Sequence, residues 1–81
     1  MVYSVHDKAA GAFLPPFFQR AKGEAIRAFE AAVKDPAHQF HQHATDYVMY
    51  ELGSFDDQTG LLDTAEPLRV ISGIEINPLS V

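Results

Sequence analysis

The chain has 81 residues, 47% hydrophobic and 21% charged, with six Lys and Arg against eleven Asp and Glu and a net charge of −5. That length implies a single domain, 1–81, near the size at which one core stabilises only marginally, so a homodimer is expected. With no cysteine there are no disulfides, thiolate zinc sites or cysteine nucleophiles, and no basic-then-apolar leader or membrane-length apolar run is present, which leads to the expectation of a soluble cytoplasmic protein with no membrane partner.

Val2 to His6 alternates strand formers, Asp7 to Gly11 is turn chemistry, and Ala12-Phe13-Leu14 opens a second strand. Pro15 and Pro16 cannot donate to a ladder, so Phe17-Phe18 is expected to continue as an edge segment. From Lys22 to Lys34 the apolar positions Ala25, Ile26, Phe29, Ala32 and Val33 recur at three- and four-residue spacing, which predicts a helix with one buried face. Asp35-Pro36 ends it, because the residue before proline is pushed out of the helical region. Tyr47 to Phe55 is the strongest strand, Asp56 to Gly60 a hairpin tip, and Leu61-Leu62-Asp63 the return. Glu66-Pro67 predicts a break before a last strand in which Leu68, Val70, Ile74 and Ile76 share a face and Ser72-Gly73 forms a bulge. The expected fold is α+β in the order ββαβββ, an antiparallel β-sheet with one α-helix packed on one face. Nothing in this two-layer arrangement covers the other sheet face, which is left for a partner or a second copy.

His38, His41 and His43 lie between the helix and the strong strand with Asp35 and Asp46 nearby, a usable metal-ligand set by chemistry. Their spacing fixes no two of them on a rigid element, so a solvated loop is expected, with no metal and no cofactor. Ser4, Ser54, Ser72 and Ser80 lack a nucleophile elbow, the five glycines form no phosphate loop, and Asp56-Asp57 lacks the ligand pattern of a calcium loop. No catalytic residue is therefore expected. The charge is polarised. Residues 1–34 carry Lys8, Arg20, Lys22, Arg27 and Lys34 against Asp7, Glu24 and Glu30, whereas residues 35–81 carry Arg69 against eight carboxylates. Phe17 and Phe18 beside Arg20, Lys22, Arg27 and Lys34 are the ingredients of a platform for single-stranded DNA, unless the phenylalanines fill the core. Tyr47, Tyr50 and Phe55 are the candidate partner-binding residues of the strong strand.

Val2-Tyr3-Ser4-Val5, Leu14-Pro15-Pro16-Phe17-Phe18, the block from Lys22 to Phe29, Val33-Lys34-Asp35-Pro36, and Asp46-Tyr47 leading to the block from Leu52 to Gly60 resemble the small non-structural protein of the gokushoviruses. These microviruses have circular single-stranded DNA and include the chlamydia phages. The similarity runs from the first residues to about residue 76. This chain departs from the family pattern at Ala21, where a capping Thr or Ser is usual, and at His43-Ala44-Thr45-Asp46-Tyr47, where His-Pro-Glu-Asp-Tyr is frequent. His43 matches the family while His38 and His41 do not. The resemblance implies a phage protein made in the host cytoplasm and absent from the virion. It further implies control of the switch toward single-stranded DNA synthesis and packaging, with a phage or host replication protein, or single-stranded DNA, as partner, and it brings no catalytic residues.

Overall fold

The computed structural model describes residues 1–78. Five strands form one antiparallel sheet: β1 (Val2–Asp7), β2 (Ala12–Phe13), β3 (Phe17–Phe18), β4 (Tyr47–Phe55) and β5 (Leu62–Ser72). Between β3 and β4 lie α1 (Lys22–Lys34), α2 (Gln39–Gln42) and a 3-10 turn (Ala44–Asp46), and α3 (Gly73–Ile76) follows β5. The α+β class and the antiparallel sheet with a helix are as expected.

The strand order in space is β2-β1-β4-β5, with β3 also on β1. β2 and β3 act as one edge strand cut in two. Phe13 pairs with His6 and Phe17 with Tyr3, a shift of one residue that Pro15-Pro16 absorbs. At the cut the Ser4 hydroxyl donates to the Leu14 carbonyl at 2.6 Å. Phe17-Phe18 is thus the edge segment its prolines predict.

Two expectations for the C-terminal third are corrected. Glu66-Pro67 does not end a strand. β5 runs through it, and its register against β4 shifts between the Glu51–Leu68 and Gly53–Thr64 pairs. β5 is an edge strand, so the N–H that Pro67 lacks costs no central ladder bond. Ser72-Gly73 is no bulge either, because Gly73 begins α3. A Cβ at Gly73 would lie 2.5 Å from the Ala44 carbonyl oxygen, so only glycine lets α3 approach the 3-10 turn this closely. The element order is therefore βββαββ, with short helices after α1 and β5.

The core forms where α1 lies against the sheet. Ala25, Phe29 and Val33 from α1, Phe40 from α2 and Ala44 from the 3-10 turn pack with Tyr3, Val5, Tyr47 and Met49. Its aromatic spine runs Phe29 to Phe40 at 5.6 Å and Phe40 to Tyr47 at 4.5 Å.

α1 starts at Ala21, which is extended at φ −137 and ψ 152 but has no side chain to cap the free amides. Ala21→Ser supplies the missing acceptor in a conformation already suited to it. It is expected to raise stability by about 1 kcal/mol, read as an upward shift of the urea midpoint.

Candidate docking face

Strand alternation decides which side chains are available. Tyr3, Val5, Tyr47 and Met49 turn toward the helices, so Val2, Ser4, His6, Val48 and Tyr50 between them face the other way, where Val2, Ser4 and Val48 are buried and only His6 and Tyr50 are partly exposed. α1, α2, α3 and the 3-10 turn contact one another and form a single layer. Among the described residues no helix lies over the second sheet face.

Two aromatic clusters stand on that face. Phe13 is placed there by its pairing with His6, and the two rings sit 4.8 Å apart, with Tyr50 5.5 Å from Phe13 and 6.3 Å from His6, all edge-on. At the other end Phe18, opposite Val2, meets Phe55 edge-on at 5.9 Å. Phe13 is 44% exposed, Phe18 57% and Phe55 44%. Edge-on pairs hold each other in place and leave their outer surfaces wet.

Beside the second cluster, a groove of about 780 Å³ runs between the start of α1 and the hairpin, lined by Phe18, Phe55, Arg20, Glu24 and Asp57 among others. Asp56 next door is occupied locally. Its carboxylate accepts from the backbone amides of Gln58 at 2.9 Å and Thr59 at 3.4 Å, which hold its pKa below the ordinary value.

The residues singled out in the sequence divide between surface and core. Tyr50, Phe55 and Phe18 reach the second face, whereas Tyr47 is 6% exposed and packs at a tilt on Phe40 in the core. Phe17 also turns inward, with its ring 6.0 Å from Tyr3. Tyr47 is therefore no surface for a partner, nor Phe17 a platform for a base. Arg20, Lys22, Arg27 and Lys34 are all exposed. Arg27 and Lys34, seven residues apart, share the outer side of α1, where Lys34 pairs with Glu30 at 3.5 Å and Arg27 Nε donates to the Gly23 carbonyl at 3.4 Å. His6 and Phe13 are not among the candidate partner-binding residues read from the sequence, although the parity of His6 relative to Tyr3 and Val5 is the signal that places them.

The histidine run is not a loop, because four of its six residues lie within α2. His38 caps this helix, with Nδ1 accepting from the Phe40 amide at 3.1 Å and the two rings 4.5 Å apart. His41 Nδ1 lies 2.8 Å from the Val33 carbonyl. His43 is exposed at the start of the 3-10 turn. The run thus carries Phe40 into the core. No group of three His, Cys, Asp or Glu among the described residues is arranged to hold a metal, and no helix among them is long and apolar enough to cross a membrane.

Burial raises the pKa of both core phenols, with Glu51 adding to the effect at Tyr3 and Asp7 and Asp46 at Tyr47. The fold holds them neutral, while an unfolded chain ionises them freely near the ordinary value of 10.0. Their contribution to stability is complete below that pH and is lost as the pH rises through the higher folded values. Stability is therefore expected to fall above about pH 10. Tyr47→Phe should make the urea midpoint less sensitive to pH there.

Residues 1–76 match the family model described as Phage ORF5 protein. The chain belongs to this family. It is accordingly a bacteriophage protein, and the family match covers every strand and the three helices described above. No curated protein and no solved structure matches the chain.

Proposed function

We propose that this phage protein is a non-catalytic binding module of the gokushovirus type. It regulates viral DNA replication in the host cytoplasm, at the switch toward single-stranded DNA synthesis and packaging, by docking a phage or host replication protein. The observation that carries this reading is the aromatic surface at the two ends of the second sheet face, where Phe13, Phe18 and Phe55 are each at least 44% exposed. Aromatic anchors of this kind supply most of the energy of a protein interface once desolvated. The acidic second half of the chain favours a basic partner and disfavours polyphosphate.

One observation favours a second reading, direct binding of single-stranded DNA. Phe18 and Phe55 share a groove with Arg20, and aromatic rings beside a guanidinium can stack bases while the cation holds the backbone. Fluorescence anisotropy with labelled single-stranded and duplex DNA across a salt series separates the two. Docking of a protein predicts no retention of either DNA at low salt. Micromolar single-strand binding that falls steeply with salt and weakens in Phe18→Ala/Phe55→Ala would transfer the function to DNA.

A further inference from the structure

Every residue from 54 to 69 is exposed. These residues form an arm made of the end of β4, the turn and the first two thirds of β5. With it the molecule measures 43 × 24 × 18 Å and its radius of gyration is 13.0 Å, against roughly 12 Å for a compact chain of this length. Its surface of 5211 Å² likewise exceeds the roughly 4,800 Å² expected for its mass. The arm carries Leu61, Leu62 and Leu68 at 69%, 59% and 59% exposure. A two-stranded ribbon of this kind is marginal in water without cover.

The charges on the arm indicate what covers it. The arm carries Asp56, Asp57, Asp63 and Glu66 against the single cation Arg69 at its base, which pairs with Glu75 of α3. The opposite charge in this chain stands on and beside α1, where Arg20, Lys22, Arg27 and Lys34 outnumber Glu24 and Glu30, the latter paired with Lys34. Sheet extension along β5 does not fit, because Pro67 and the register shift beside it break the outer edge into short pieces. Contact through side chains remains.

We infer that the arm is covered by a second copy of this chain, its acidic and leucine-rich surface lying against the basic outer side of α1 of the partner. A two-fold axis makes this contact twice. A standard interface takes about 800 Å² per copy, less than a sixth of the 5211 Å² that one chain exposes.

The test uses two variants of the full chain and sedimentation at low salt. Asp57→Lys/Asp63→Lys/Glu66→Lys makes arm and helix both basic, and Arg27→Glu/Lys34→Glu makes both acidic. All five positions are exposed, and circular dichroism checks that each variant is folded. The wild type is expected to be a dimer that weakens with salt. Each variant alone should dimerise about 100-fold less tightly, since like charges now face one another. An equimolar mixture of the two should recover the dimer, because both contacts then join opposite charges. A monomeric wild type, variants that dimerise as well as the wild type, or a mixture that stays monomeric would each overturn the inference.

Discussion

Phe29→Ala is expected to destabilise the chain by about 3–5 kcal/mol. The side chain is 2% exposed, lies between Ala25 and Val33 on the buried face of α1, and meets Phe40 at 5.6 Å. Removing a buried phenylalanine ring costs about 3–5 kcal/mol, and a chain of this length has a total stability of roughly 4–12 kcal/mol. The loss is concentrated because the core has few other large members. Tyr3 and Met49 are the largest fully buried side chains, and both belong to the sheet and not to the helical layer. Urea unfolding followed by circular dichroism measures the change. A loss below about 1 kcal/mol would mean that the site collapses around the missing ring and that α1 is not held by this contact.

Gly53→Ala is expected to destabilise the chain by about 2–3 kcal/mol and to displace the hairpin. Gly53 has φ 155, and a Cβ there would collide with the carbonyl of Asp63 on β5. The position is also where β4 changes register against both neighbours, pairing with Val2 on one side and Thr64 on the other. The added methyl group therefore meets backbone that is fixed on two sides, and the strands must part. Phe55, two residues on, would move away from Phe18, so the nuclear Overhauser contact between these rings should weaken along with stability. A variant that keeps the wild-type urea midpoint and that ring contact would show that the strands separate here at little cost.

What was legible in the sequence is what period and proline chemistry determine locally. The alternation of Val2 to His6, the helical spacing of Ala25, Phe29 and Val33, and the run from Tyr47 to Phe55 each appear as read. The misreadings share a physical origin in neighbours that are distant in sequence. Pro67 breaks a strand only if its N–H is needed, and the edge position of β5 removes that need. Ile74 and Ile76 fit a strand or one helical turn equally well over so short a run. The approach of Gly73 to Ala44 decides for the turn.

The docking face was legible only in part, for the same reason. A strand pattern shows that alternate residues share a side, but the helical layer chooses which side is buried, and a slip of one residue would exchange them. Tyr47 and Tyr50 look equivalent in the sequence, yet one fills the core and the other stands among the exposed rings. The histidines drew attention by composition, whereas their placement serves α2 and the burial of Phe40.

The most direct measurement is quantitative capture from phage-infected host cells, comparing the wild-type chain with Phe13→Ser/Phe55→Ser as bait. Both substituted side chains are about half exposed on the second face, so circular dichroism should find the variant folded. The proposed function predicts that a replication protein of the phage or host is retained by the wild type and lost at least tenfold from the variant. Equal retention of every replication protein by both baits would contradict docking on this face.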